Sequence, residues 1–203
     1  MRESTTVRVF VFAILSVSLL LMNGCAFGNR NIALDPISTN RSADLRGSNV
    51  YVVVNDNRNP LLMPVVGHVK NGYGMKTADV VADKEVTTWV KASIENELKR
   101  YGATLNLATQ NNTLDDSKVT VDVLVCYAQA YWRYGGEVKA RVSVDKQGVA
   151  VIKDREYSGT ATLGTNWGAT AESYQEVLSL AMKDFLEKLM PDLERVIQDK
   201  PKT

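Results

Sequence analysis

The chain has one histidine, His68, and two cysteines, Cys25 and Cys126, in 203 residues. So few imidazole and thiol groups leave no Cys/His spacing for a zinc or iron–sulfur site. A thiolate nucleophile would have to be built from Cys126 and His68 alone. There is no G-x-S-x-G elbow and no glycine loop of the phosphate-cradling kind. An excess of charge of one sign is missing too. The chain carries 24 basic and 23 acidic residues, and removing Arg2, Arg8 and Glu3 with the first 24 residues leaves 22 of each. A neutral domain without a basic stripe is a poor ligand for nucleic acid. Nor is there an apolar run long enough to span a bilayer, since the longest, Val9 to Met22, holds 14 residues against the ~20 a transmembrane helix needs.

What that run does fit is a signal peptide. Arg2 and Arg8 make a basic start, Val9 to Met22 is the apolar stretch, and Leu21-Met22-Asn23-Gly24-Cys25 follows. The last segment resembles the bacterial lipobox, in which a small residue precedes an obligatory cysteine. A thiol is needed to accept diacylglyceryl as a thioether, and Gly24 lets a signal peptidase reach the bond. Met22 stands where leucine is usual. The resemblance implies that residues 1–24 are removed and that Cys25 carries the lipid, including palmitate. It also implies a protein held at the cell envelope and facing the periplasm. Ala26, in place of the aspartate that favours inner-membrane retention, points to the outer membrane. Cys126 is then left without a disulfide partner, and its place in an apolar run marks it as a buried free thiol.

Residues 25–47 are rich in Asn, Ser, Arg and Asp and lack sustained apolar periodicity. They read as a lipidated N-terminus and flexible tether, reaching roughly 26 Å as a coil. The globular domain is expected over 48–198, with a polar tail at 199–203. Val50–Val54 is a buried strand, ended by Asn55-Asp56-Asn57-Arg58-Asn59-Pro60. Residues to Ala82 read as a long Pro/Gly loop, with one short strand among Met63, Val65, Val66 and Val69. Asp83 is placed to cap a helix bearing Val86, Trp89, Val90, Ile94, Leu98 and Tyr101 at helical spacing, and Gly102 stops it. Leu105 and Leu107 alternate in a strand. A stronger strand over 118–134 shows Val119, Val121, Val123, Val125 and Tyr127 on one face. Gly135-Gly136 reads as a hairpin turn. Strands follow at 137–145 and 149–163. Ser173 and Glu176 form a capping box for a second helix through Tyr174, Val177, Leu178, Ala181, Phe185 and Leu189, which Pro191 ends or kinks.

The expected fold is α+β: a mostly antiparallel sheet of four to five strands in the order β-α-β-β-β-β-α, with two amphipathic helices on one face. The β–α–β start places the first two main strands parallel.

This layout resembles the YajG-type lipoprotein family over roughly Cys25 to Ile197. The resemblance rests on the lipobox, the strand Val50–Val54 leading into Asp56-Asn57-Arg58, the helix ending at Tyr101-Gly102, the hairpins around Gly135-Gly136 and the closing helix. It implies an outer-membrane lipoprotein with no established enzyme activity.

The remaining candidates for chemistry are few. Asp115-Asp116 and Asp79/Asp83 are the nearest approach to paired carboxylates, and the first pair reads as a polar turn. Asp56 and Arg58, two apart at a strand end, read as a loop-fixing salt bridge before a recognition pair. Of Tyr131, Trp132 and Tyr134, which span both faces of a strand, at least one is expected to be exposed. No catalytic residue, metal ligand or cofactor site is assigned. The expected role is that of a non-catalytic interaction or assembly protein of the envelope, with an unidentified envelope protein as partner. Leu61, Leu62, Tyr73 and Trp132 are the candidate contact residues. The alternative is a module that holds a lipid or other apolar small molecule between sheet and helices.

Overall fold

A computed structural model of the chain describes residues 28–106, 116–164 and 170–199. The order of elements is β1 (Arg30–Ile32), β2 (Asn49–Asp56), β3 (Val65–Lys70), β4 (Lys76–Ala82), α1 (Val86–Arg100), β5 (Thr104–Leu105), β6 (Asp116–Ala130), β7 (Tyr134–Lys146), β8 (Val149–Leu163) and α2 (Ala171–Gln198). A 3-10 turn at Pro60–Leu62 joins β2 to β3.

The strongest alternating run of the sequence, β6, is the axis of one eight-stranded sheet. Along one edge β6 pairs antiparallel with β7, and β7 with β8. The other edge is shared. Its first half pairs parallel with β2, from Asn49↔Asp116 to Asp56↔Val123. Its end pairs parallel with β3, from Gly67↔Ala128 to Val69↔Ala130. Beyond β2 lies β5, parallel to it; beyond β3 lie β4, antiparallel, and β1, parallel to β4. The sheet therefore forks along β6. It has more strands than the sequence suggests and is mixed rather than mostly antiparallel. The expected parallel pairing across the β–α–β start is present, as β2 with β5.

The fork coincides with a bulge between Val123 and Val125. One extra residue reverses the strand's alternation. Val119, Val121 and Val123 face the core as expected, but Cys126 and Ala128 replace Val125 and Tyr127 there.

Both helices cover the buried face of the sheet. Register places Val50, Val52 and Val54 on the same face as Ser117, Val119 and Val121. α1 packs on β2 and β5, α2 on β6, β7 and β8, and the helices touch each other. The apolar stripes are those the spacing predicts: Val86, Trp89, Val90, Ile94 and Leu98 on α1, and Tyr174, Val177, Leu178, Ala181, Phe185 and Leu189 on α2 are all buried. α1 stops at Gly102, whose φ of 89° is the left-handed conformation glycine adopts freely. Its N-cap is Glu85, because the Asp83 carboxylate instead accepts the Leu34 N–H at 2.9 Å. α2 is capped by Thr170, which accepts the Ser173 N–H at 3.3 Å, so Ser173 lies inside the helix. The helix continues through Pro191 to Gln198, carried by the buried Leu193, Val196 and Ile197.

Gly135 and Gly136 lie within β7, and the turn before them is Tyr131–Arg133. Their role is approach, not reversal. A Cβ on Gly136 would lie 2.7 Å from the Val177 carbonyl oxygen, and one on Gly159 would lie 2.1 Å from that of Ala181. Glycine at these two positions lets α2 sit directly on β7 and β8.

The segment from Arg30 to Gly47 is not a tether. β1 joins the sheet, and Ile32, Leu34 and Leu45 are buried. The stretch between is a strap across α1. The Ile37 N–H donates to Ser93 Oγ (3.0 Å), Trp89 Nε1 to the Asp35 carbonyl (2.7 Å), and the Leu45 N–H to the Tyr101 carbonyl (2.6 Å). At its centre the fully buried Glu97 carboxylate accepts the Thr39 N–H (2.7 Å), the Thr39 hydroxyl (2.8 Å) and Arg100 Nη2 (2.8 Å). Burying three large aliphatic side chains at about 1.5–3 kcal/mol each holds the strap closed.

Candidate functional site

The long loop expected between Asp56 and Ala82 is instead the antiparallel hairpin β3–β4. Sequence pattern hides it because two bulges break its alternation and His68, Lys70 and Asp79 give it a polar face. Its turn is set by Asn71, whose side-chain oxygen accepts the N–H groups of Tyr73 and Met75, each at 3.0 Å. Gly74, at φ 80°, closes it by donating to the Asn71 carbonyl at 2.9 Å.

The hairpin separates the four candidate contact residues into two groups. β3 runs six residues between them, about 20 Å at ~3.3 Å per residue.

Tyr73 and Trp132 belong to the tip. Because β3 and β6 are parallel and paired up to Val69↔Ala130, the turns that follow them lie side by side. Tyr73 is 86 % exposed, Trp132 70 % and Met75 60 %, and half of Tyr131 is exposed as well. Trp132 meets Tyr131 edge to face at 5.3 Å. Gly74 approaches the Tyr131 ring from the neighbouring turn, with its Cβ position 3.4 Å away. Tyr134, at the base, is buried edge-on against Tyr174 at 5.3 Å, which fixes the turn to α2. An open hollow of about 430 Å³ lies here, walled by Lys70, Gln129, Tyr131 and Arg133. Met75 was not legible as a contact residue; its only signal is an apolar side chain beside a glycine turn.

Leu61 belongs to the fork, at the other end of β3, and is 89 % exposed. Leu62 is in the same 3-10 turn, but its side chain lies outside the described residues. Met63 is partly exposed beside them. An open groove of about 550 Å³ runs from Asp56, Arg58, Met63 and Pro64 to the first turn of α1. Asp56 and Arg58 form a nearly buried bidentate pair, with Nε to Oδ1 at 2.9 Å and Nη2 to Oδ2 at 2.7 Å. Arg58 Nη1 also donates to the Val65 carbonyl at 3.4 Å, and the Asn57 N–H to the Val123 carbonyl at 2.9 Å. The pair thus ties β2, β3 and β6 together where the sheet divides. Burial pushes the Asp56 carboxyl up, but the hydrogen bonds and charge of Arg58 outweigh it and hold the pKa below its usual value. Both charges are spent on each other, as a loop-fixing pair requires.

The residues with nucleophilic or acid–base potential are not brought together. Cys126 is a buried free thiol whose pKa burial pushes up to about 12, far from the range of a reactive thiolate. His68 lies in β3 rather than a loop, on the opposite sheet face from Cys126, since it pairs with Gln129 while Cys126 shares the core face with Ala128. Its Nδ1 contacts Asp79 Oδ1 at 2.8 Å, and its ring meets Tyr127 edge-on at 5.6 Å. Asp79 also binds Lys76 at 2.6 Å, whereas Asp83 is engaged with Leu34. Asp115 lies outside the described residues, as does the side chain of Asp116. Cys25 lies outside them too. Among the described residues no three His, Cys, Asp or Glu side chains are placed to hold a metal ion. No helix there is long and apolar enough to cross a membrane.

No family model matches the chain, and no curated protein is similar to it in sequence. Several solved structures are similar to it. A Xanthomonas campestris protein, XCC0632, of the family DUF330, is 11 % identical over 83 % of this chain and 97 % of its own, with a TM-score of 0.47. The hypothetical protein CT253 of Chlamydia trachomatis is 12 % identical over 74 % of this chain and 98 % of its own, also at 0.47. The lipoprotein GNA1162 of Neisseria meningitidis is 12 % identical over 71 % and 99 %, at 0.30. The YajG-type resemblance of the sequence has no counterpart among these descriptions.

Proposed function

We propose that this is a lipid-anchored lipoprotein of the outer membrane, facing the periplasm and acting as a non-catalytic interaction or assembly protein. The observation that carries the reading is the contrast at the fork. Leu61 stands almost fully exposed beside an open groove in which the one nearly buried ion pair, Asp56–Arg58, is engaged in holding strands. Such a surface offers apolar contact on a rigid support. Leu61 and Met63 form the face that meets an envelope protein.

The alternative, an apolar ligand held between sheet and helices, is disfavoured by packing. α2 lies so close to β7 and β8 that Gly136 and Gly159 leave no room for a methyl group.

Two experiments test the proposal. Radioactive palmitate labels the wild type and not Cys25→Ser; equal labelling of both contradicts the anchor. Crosslinking in intact envelopes captures a partner that Leu61→Ser no longer captures, at unchanged melting temperature. A partner retained by that variant removes the fork as the contact face.

A further inference from the structure

We propose that the paired turns Asn71–Met75 and Tyr131–Arg133 rest in the headgroup region of the bilayer that holds the lipid on Cys25, so that the domain lies against the membrane instead of standing off it. The inference rests on lipidation of Cys25.

Chain direction is the first argument. β1 is parallel to β4, with Arg30 beside Val80 and Ile32 beside Ala82. β4 starts at the tip and runs away from it, so the chain enters β1 from the tip side. Asn29 is already fastened there, its side-chain oxygen accepting the Asp79 N–H at 3.1 Å. Gly28 is fastened in turn, its carbonyl accepting from Arg30 at 2.7 Å. Cys25 precedes Gly28 by three residues, a reach of about 10 Å at most. With 30–47 built into the fold, those few residues are all that separate the anchor from the sheet. Asp79 and Met75 are four residues apart along β4, about 13 Å. The level of the tip is thus within reach of Cys25.

The tip's chemistry is the second argument. Trp132, Tyr131 and Tyr73 are amphipathic rings of the kind that settle at the membrane–water interface. Met75 adds an apolar side chain between them. Segments 70–76 and 129–135 contain Lys70, Lys76 and Arg133 and no carboxylate, in a chain that is otherwise neutral. Lys76 is paired with Asp79 at 2.6 Å, so Lys70 and Arg133 are the cations the tip offers to lipid phosphates. The tip is also rigid, braced by the Asn71 side chain and by Tyr134 on Tyr174, so little ordering is needed on contact.

The test uses full-length lipidated protein on vesicles of phosphatidylethanolamine and phosphatidylglycerol with brominated acyl chains. Flotation reports the anchor. The Trp132 signal is the difference in emission between wild type and Trp132→Phe. The expected result is that the protein floats and loses most of the Trp132 component to the bromines, while aqueous iodide no longer quenches it. A protein that floats with Trp132 unquenched by bromine and open to iodide overturns the proposal and leaves the anchor standing. Shielding from iodide that grows with protein density, without bromine quenching, assigns the tip to a second copy and also overturns it. Failure to float removes the anchor reading and this one with it.

Discussion

The two ends of β3 are both rigid and both expose apolar side chains, yet they are built from different chemistry. At the tip, Tyr73, Met75, Tyr131 and Trp132 stand out beside cations, supported by an asparagine turn and a tyrosine pair. At the fork, Leu61 and Met63 stand beside a nearly buried Asp56–Arg58 pair that joins three strands. The tip can be stripped without touching the sheet. The fork cannot, because its support is also the junction of the fold. On the proposed lipidation of Cys25, the two ends also differ in their distance from the anchor, since the fork is about 20 Å from the tip along β3.

The largest effect expected is at that junction. Arg58→Ala leaves the Asp56 carboxylate without its partner in a poorly hydrated site, and a broken buried pair costs about 3 kcal/mol or more. Urea denaturation reads the loss, and a change under about 1 kcal/mol would mean the fork does not depend on the pair. The acid limb separates the fork from the β3–β4 hairpin next. Asp56 has a lowered pKa in the fold, so its contribution to stability is present at neutral pH and is lost as pH falls below about 4 toward the folded value. Asp79, midway along the β3–β4 hairpin, is lowered as well, by its hydrogen bond to Lys76 first and, against burial, by that to His68. Because Asp79 is more exposed than Asp56, Asp56→Asn flattens the acid limb of stability more than Asp79→Asn does. The reverse order in a pH series of melting temperatures would place the heavier electrostatic support in the β3–β4 hairpin.

Cys126 reports on the same contrast. It sits just past the bulge where β2 gives way to β3, and its thiol pKa of about 12 makes native labelling slow. Arg58→Ala should speed its reaction with a thiol reagent, and Trp132→Ser should not; equal acceleration by both would show that the tip also holds the fork shut. The smallest effects are at the exposed side chains themselves. Leu61→Ser and Tyr73→Ser should each shift stability by less than about 0.5 kcal/mol, since neither leaves a cavity. A loss of several kcal/mol would mean that these residues cover the core.

Both helices and the run β6–β8 were legible because one face of each repeats an apolar residue at the period of its own element, as Val86 to Leu98 and Val119 to Val123 do. Misreadings arose where the determinant lies elsewhere in the chain. The strap at 30–47 lacks periodicity because its partners, Ser93, Glu97 and Tyr101, lie on or at the end of a helix more than fifty residues away. Gly135-Gly136 resembles a turn, but the glycine at 136 is needed for a helix that starts at Ala171. Bulges at β6 and β3 move side chains to the opposite face without any mark in composition. At the candidate site, Leu61, Tyr73, Tyr131 and Trp132 were recognisable as apolar residues in turn contexts, and all four are exposed, with Tyr134 buried. That they form two surfaces was not recognisable, because it depends on β3–β4 being a hairpin.

The claim that these surfaces serve different partners is open to one direct measurement. A photoreactive side chain is introduced in place of Leu61 or of Trp132 in lipidated protein, and adducts are collected from intact envelopes labelled in their phospholipids. A protein adduct from position 61 and a labelled phospholipid adduct from position 132 are the outcome the account predicts. The same protein adduct from both positions, or no phospholipid at position 132, would contradict it.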